Sequence, residues 1–174
     1  PTLSLGVPTI WLTMIQNFEA NPGRWKLPAG MRSLVGGSAG PETLNPVVAK
    51  HQIRIKQARG MTETSPIATI AYEPPNWESL SIDERVTITA RQGKALYGVE
   101  LRTVDLDDAS RVLPRDGQTA GALHVRGPWV IKRYFKAAED ATMDGQWFDT
   151  GDVAILHPDG TLQLTDRTKD VIKS

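Results

Sequence analysis

The sequence contains no cysteine, which excludes disulfides, thiolate nucleophiles and zinc sites built on sulfur, and fits a reducing compartment with a cytoplasmic location as the expectation. Neither sign of charge is in excess: Lys plus Arg and Asp plus Glu both total 20. No bulk field therefore draws in nucleic acid or anionic lipid, and partners must be recognised locally. No apolar run approaches the roughly 20 residues of a spanning helix, so no transmembrane segment is expected. Pro1 to Gly6 also lacks the charged and apolar regions of a signal peptide. The phosphate-cradling patterns G-x-x-x-x-G-K-[ST] and G-x-G-x-x-G are both missing, and His51 and His124 have no metal-ligand spacing. Internal repeats and low-complexity segments are absent too. A 174-residue chain with 40% hydrophobic positions is neither disordered nor collagen-like, and is long enough to bury a core as one ordinary domain or two small ones.

Both ends read as cut. Pro1-Thr2-Leu3-Ser4-Leu5 has the alternation of a strand without an initiator Met, and Asp170-Val171-Ile172-Lys173-Ser174 stops within an apolar run. The expectation is a piece of something larger.

The first half alternates strand and helix signals. After Pro8-Thr9, Trp11, Met14, Ile15 and Phe18 fall at i, i+3, i+4 and i+7, one helical face, and Asn21-Pro22-Gly23 ends it. Leu34-Val35 runs into Gly36-Gly37-Ser38-Ala39-Gly40, followed by a second helical face at Leu44, Val47 and Val48, with Pro46 bending its start. Ile53 and Ile55 alternate with polar residues as a strand that delivers the chain to Gln57 and to Gly60-Met61-Thr62-Glu63-Thr64-Ser65-Pro66. Strand, loop, helix, strand, loop is α/β logic.

The second half changes period. Ser81-Ile82-Asp83-Glu84 is a capping-box pattern for a short helix, although Val86-Thr87-Ile88 suits extended chain equally. Val99, Leu101 and Thr103 alternate with Glu100 and Arg102, and Leu123 and Val125 alternate with His124 and Arg126. Ile155-Leu156 and Leu162-Leu164 flank the turn His157-Pro158-Asp159-Gly160. These spacings predict half-buried antiparallel strands. Arg91-Gln92-Gly93-Lys94 interrupts the pattern, which divides the chain into an α/β part over residues 1–92 and a β-rich part over 93–165.

Three groups of residues could carry chemistry. The Gly60–Pro66 run sets hydroxyls beside one carboxylate; such a loop can hold phosphate oxygens and, through Glu63, Mg²⁺, or can simply satisfy its own backbone as caps and ST-turns. Phe148-Asp149-Thr150-Gly151-Asp152 puts a carboxylate after a Gly at a strand start, where Asp152 can accept two hydrogen bonds from vicinal hydroxyls or bind its own turn. Gly36-Gly37-Ser38-Ala39-Gly40 matches G-x-S-x-G, and Asp152 and His157 follow in the order of a hydrolase triad. Gly-rich turns are common, however, and a His in a Pro-Asp-Gly turn is more often solvated than basic, so a serine hydrolase acting through Ser38 ranks as an alternative.

Taken together these segments resemble the AMP-forming acyl-CoA synthetases of the adenylate-forming superfamily, and within it the medium- and long-chain fatty-acid:CoA ligases. The resemblance rests on Gly6-Val7-Pro8-Thr9-Ile10-Trp11-Leu12, Gly36-Gly37-Ser38-Ala39, Gly60 to Pro66, Gly127-Pro128-Trp129, Trp147 to Asp152 and Asp166 to Ser174, in that order. It implies part of the large N-terminal domain, an α/β layer followed by an antiparallel, distorted-barrel subdomain, with 166–174 as the hinge to a missing C-terminal domain. It further implies that Gly36, Gly37 and Ser38 line the adenine pocket, with Gln57, Ala58, Arg59 and Gly60 on the nucleotide. Thr62 and Glu63 would be catalytic, the first on phosphate and the second holding Mg²⁺; Asp152 would bind the ribose, Arg167 would add a ribose or phosphate contact, and Lys169 would be the hinge pivot.

The implied substrates are a fatty acid, ATP and CoA, with room for peripheral membrane contact and a homodimer in the full-length form. One position departs from the family. Where an aromatic ring usually stacks on adenine, this chain has Arg59 within Gln57-Ala58-Arg59-Gly60, and a guanidinium plane can also stack on a base. The upstream phosphate loop and the lysine of the C-terminal domain are not in the sequence, so the isolated chain is expected to be inactive. A nonenzymatic adenylate-binding remnant is the remaining alternative.

Overall fold

The computed structural model describes residues 2–28, 30–36 and 53–167. Strand β1 (Leu3–Gly6) leads into helix α1 (Pro8–Ala20). Pro8 opens the helix, where its fixed φ suits the first turn and its missing N–H costs no hydrogen bond. Trp11 and Ile15 are buried and Met14 and Phe18 half-buried, so the face expected from the spacing is the packed one. The Asn21 N–H closes the helix on the Asn17 carbonyl. Strand β2 (Arg32–Val35) pairs parallel with β1, and β3 (Arg54–Gly60) pairs parallel with β2. Beneath them Trp11, Ile15, Met31, Val35, Ile53 and Ile55 form one core cluster. The helical face expected at Leu44, Val47 and Val48 lies outside the described residues.

From β3 onward every pairing is antiparallel. Strands β4 (Ile67–Ile70), β5 (Gly93–Ala95), β6 (Glu100–Val104), β7 (Ala120–Arg126), β8 (Phe148–Leu156) and β9 (Thr161–Arg167) extend the same sheet in the order β1-β2-β3-β4-β5-β9-β8-β7-β6. Ala68, Val99, Leu101, Leu123, Val125, Phe148, Ala154, Leu156 and Leu162 make the second core cluster.

Helix α2 (Ile82–Ala90) settles the ambiguity at Val86–Ile88 in favour of helix. Its capping box is formed in full: the Glu84 N–H donates to Ser81 Oγ at 3.3 Å, and the Ser81 N–H donates to Glu84 Oε2 at 2.8 Å. The run that reads as punctuation, Arg91 to Lys94, enters β5, the strand that joins β4 to β9. Buried Gln92 fastens this junction, its carbonyl accepting from Thr69 Oγ1 (2.6 Å) and its Oε1 accepting from the Leu164 N–H (2.7 Å).

The expected alternation on β7 fails at His124, which is 1% exposed. Both faces of β7 are covered there: Leu123 and Val125 point into the core, while His124 lies on the face where Arg102 and Arg126 sit over the Trp147 ring at 4.3 and 4.6 Å. Among the described residues no helix is long and apolar enough to cross a membrane.

Candidate functional site

The seam between the parallel and antiparallel parts gathers most of the residues singled out by type. On the parallel side β2 and β3 set Val35 opposite Gln57, so the chain leaving β2 at Gly36 passes close to Ala58. A Cβ on Gly36 would meet the Ala58 carbonyl oxygen at 3.1 Å, a contact that favours glycine there. Gln57 is 2% exposed and its Oε1 has no hydrogen-bond partner among the described residues. Gly37 and Ser38 lie outside those residues, as does Lys169.

At the end of β3 the chain doubles back into β4 through a 3-10 turn, Thr62–Thr64. Gly60 makes this reversal feasible, since a Cβ there would lie 1.9 Å from the Pro66 carbonyl oxygen. The three hydroxyl and carboxylate residues of the turn then divide by role. Thr64 is fully buried and structural, its Oγ1 accepting from the Met61 N–H at 3.0 Å and lying 2.9 Å from the Pro66 carbonyl. Thr62 is exposed and Glu63 is half-buried.

The Glu63 carbonyl accepts from the Ile131 N–H at 2.8 Å, and Glu63 Oε1 accepts from the Tyr134 hydroxyl at 2.9 Å. That bond to Glu63 is the main cause that raises the Tyr134 phenol above its ordinary pKa, because the carboxylate favours the protonated donor.

The third element is β8. Gly151, at φ +70°, bends the strand just before Asp152, and the Asp152 N–H lies 3.3 Å from Thr150 Oγ1, which itself donates to the Leu123 carbonyl. Arg59, 5% exposed, extends from β3 to the Asp152 carboxylate through Nη2, which also lies 3.3 Å from Met61 Sδ. A guanidinium this deeply buried is tolerable only beside a counter-charge, and Asp152 supplies it. Arg59 Nη1 is buried with no hydrogen-bond partner among the described residues. On β9 the backbone of Arg167 stands directly opposite Asp152 in the antiparallel register. The structure thus brings Gly36 to Ala58, Arg59 to Asp152, and Asp152 beside Arg167.

It separates Asp152 from His157, the two described members of the hydrolase triad. Asp152 lies on β8 and His157 just past its end, five positions on and roughly 16 Å away at about 3.3 Å per extended residue. His157 Nε2 lies 3.0 Å from Gln163 Oε1 in the hairpin, and Asp152 is engaged by Arg59. No Asp-to-His bond can orient that imidazole, so the serine-hydrolase alternative is withdrawn.

Sequence reasoning missed Tyr134 and Met61 as companions of Glu63 and Arg59. Tyr134 is 71 positions from Glu63, and no periodicity links residues in a long loop to a turn so far away. The sole local signal is the Tyr134-Phe135 pair, two large aromatics left exposed in a polar stretch. Among the described residues no three His, Cys, Asp or Glu side chains converge to hold a metal ion. A single carboxylate still suits Mg²⁺, which keeps several waters and is usually held by one or two carboxylates together with substrate phosphates.

The AMP-binding enzyme family matches the chain over residues 1–135. A 3-methylmercaptopropionyl-CoA ligase of Ruegeria lacuscaerulensis is 40% identical over 174 residues, covering 99% of this chain and 32% of that protein. A medium-chain-fatty-acid–CoA ligase of Ectopseudomonas oleovorans is 38% identical over 177 residues, covering 99% and 31%. Among solved structures, the O-succinylbenzoate coenzyme A synthetase of Bacillus subtilis in complex with ATP and magnesium ion superposes with a TM-score of 0.75 at 24% identity, covering 99% of this chain and 33% of that one. That likeness shows a shared mixed α/β fold. The chain spans about a third of the length of the curated relatives it matches.

Proposed function

The chain belongs to the AMP-binding enzyme family, and from that premise we propose that the complete protein is an ATP-dependent acid:CoA ligase, with a fatty acid as its carboxylate substrate. The reaction joins the carboxylate to the α-phosphorus of ATP with loss of pyrophosphate, and then passes the acyl group from AMP to the CoA thiol. The observation that carries the reading is the seam itself. Arg59 ties Asp152 to the end of β3, so a carboxylate suited to ribose hydroxyls sits next to the turn bearing Thr62 and Glu63.

In this reading the base rests near Gly36, Gln57 and Ala58, where Gln57 Oε1, without a hydrogen-bond partner among the described residues, offers an acceptor to an exocyclic amine. Asp152 accepts from the ribose hydroxyls, with Arg167 on the neighbouring strand as a further contact. Thr62 donates its hydroxyl to phosphate. Glu63 would hold Mg²⁺, which supplies charge neutralisation at the phosphates when bound. Tyr134 keeps the Glu63 carboxylate in one orientation through its 2.9 Å bond. The relatives named above take a thioether acid and a medium-chain fatty acid, so the acid is the part of the proposal most exposed to test.

That test is pyrophosphate release by the complete protein with ATP, Mg²⁺ and a panel of acids: fatty acids of several lengths, 3-methylmercaptopropionate and an aromatic acid. The expected result is release that is strongest with a fatty acid and lost in Glu63→Ala. Strongest release with one of the other acids would retain the ligase and replace its substrate. AMP binding without acid-dependent release would leave a nonenzymatic adenylate-binding protein instead. Residues 1 to 174 alone are expected to give no release above the Glu63→Ala control, because removing even one preorganised donor typically costs about 2.7–4 kcal/mol of transition-state stabilisation.

A further inference from the structure

Arg59 stands where a base-stacking side chain would be expected, yet its guanidinium is turned to the Asp152 carboxylate 93 positions away. The contact uses one nitrogen, Nη2, and one carboxylate oxygen, Oδ2. An ionised carboxylate offers about four lone-pair sites. A monodentate arginine therefore leaves Oδ1 and part of Oδ2 able to accept from a ligand. The Asp152 backbone is fixed on the other side by β9 pairing and by its bond with Thr150 Oγ1. Arg59 is in turn held by burial and by Met61 Sδ, so it has little freedom to swing away. Its second terminal nitrogen, Nη1, is buried and has no hydrogen-bond partner among the described residues.

We infer that Arg59 is the positioning residue for sugar recognition: it locks the Asp152 carboxylate in the orientation that accepts a vicinal diol, and so sets the preference for a ribonucleotide over a nucleotide lacking those hydroxyls. This rests on the reading of Asp152 as the ribose ligand. It differs from a stacking role for Arg59, which would act on the base and be indifferent to the sugar. The guanidinium is well suited to such fixing. Its planar, permanently charged fork spans the distance from β3 to β8 and holds one geometry, which a flexible ammonium does not.

The experiment compares binding of AMP with binding of 2′,3′-dideoxy-AMP to the complete protein by calorimetry. Two charge-assisted hydrogen bonds to the diol should give the unaltered protein a preference of about a hundredfold for AMP, and Asp152→Asn should remove most of it. Arg59→Met should cut the preference, read as the ratio of the two affinities, by about tenfold or more. Arg59→Lys should recover only part of it. Arg59→Trp separates the two roles: it can add stacking and tighten both nucleotides together, yet the preference for AMP should still fall. Because Arg59→Met leaves a carboxylate beside apolar surface, near-ultraviolet circular dichroism checks that each variant is folded, and Arg59→Lys carries the test if the Met variant is not.

If the unaltered protein does not distinguish the two nucleotides, the ribose reading of Asp152 fails and the inference fails with it. If Asp152→Asn abolishes the preference while folded Arg59→Met or Arg59→Lys keeps it in full, the ribose reading survives and the inference alone is overturned.

Discussion

Among the described residues, strands β1 to β3 run parallel and pack their buried side chains against helix α1, whereas β4 to β9 run antiparallel and lean largely on one another. The parallel part buries six core residues around Trp11 and Val35. Its outer strand β1 leaves Leu3 and Leu5 exposed at 54% and 68%, with Val7 and Ile10 exposed beside them. The antiparallel part buries nine residues, five of which, Ala68, Leu123, Val125, Ala154 and Leu162, have no exposed surface at all. The difference follows from how each kind of sheet is covered. Parallel strands ordinarily have both faces buried under helices, and among the described residues α1 covers the face that carries Val35 and Ile55. Hairpin-linked strands bring their cover with them, as the β8–β9 hairpin does through the tight His157–Gly160 turn.

The sharpest way to break this contrast is to empty the smaller core. Trp11→Ala should cost about 3–5 kcal/mol, the usual range for a buried Trp truncation. Amide exchange in β1 and β2 should accelerate far more than in β7 and β8. Equal acceleration in both parts would show that the sheet unfolds as one unit and that the two regions are not separable.

The next largest effect is expected at the join. Gly93 has φ +80°, and a Cβ there would lie 1.9 Å from the Ile70 carbonyl oxygen. Gly93→Ala should therefore cost at least about 1–3 kcal/mol through strain and overpacking. It should also loosen the pairing of β5 with both β4 and β9, read as faster exchange at the Gln92 and Leu164 amides, and full retention of their protection would mean that the join tolerates displacement.

A pH titration probes the antiparallel part alone. Burial, aided by the Arg102 guanidinium, holds the His124 pKa below its ordinary 6.5, despite the opposing pull of Asp149. In the window between the folded pKa and 6.5 the unfolded chain binds the extra proton, so stability is complete above about pH 6.5 and falls as the pH drops toward the folded value. Replacing His124 with Gln should flatten that acid slope, measured as denaturation midpoint against pH, without altering the slope set by carboxylates below it. An unchanged slope would show that His124 is not what titrates there.

The smallest effect tests the exposed side of β1. Leu5→Lys should change stability by no more than about 0.5 kcal/mol, as for an ordinary surface substitution, while reducing self-association of the isolated chain, because a charged edge strand pairs poorly with its neighbours. A large loss of stability would mean that Leu5 is packed after all.

The sequence was most legible where one local pattern determines one element. The i, i+3, i+4, i+7 spacing from Trp11 to Phe18 is enough for α1, and Ser81 with Glu84 marks the start of α2 even though Val86–Ile88 has strong β character. Legibility fails where the deciding partner is remote. β5 is only three residues long and starts with a glycine, so nothing local announces a strand; Thr69 and Leu164 create it by bonding to Gln92. His124 looks solvent-facing by alternation because the covering Arg102–Trp147–Arg126 stack comes from three separate segments. At the site, residue type alone pointed to Thr62, Glu63 and Asp152 as groups with suitable chemistry. It gave no indication that Arg59 would reach Asp152 or that Tyr134 would reach Glu63, since both pairings are products of the assembled sheet.

The position of β9 has a consequence for how the chain comes into being. In the sheet it lies between β5 and β8, yet in the sequence it follows both. A ribosome delivers residues in order, at roughly 5–20 per second, so the free edge of β5 exists on the nascent chain for several seconds, and that of β8 for about one, before the strand that fills the gap between them has been made. Two half-sheets must hold their shape independently and then accept a shared insert. Closure of this sheet thereby waits on the synthesis of β9, and a stall shortly before Thr161 would leave two open edges, each a template for pairing with a neighbouring nascent chain.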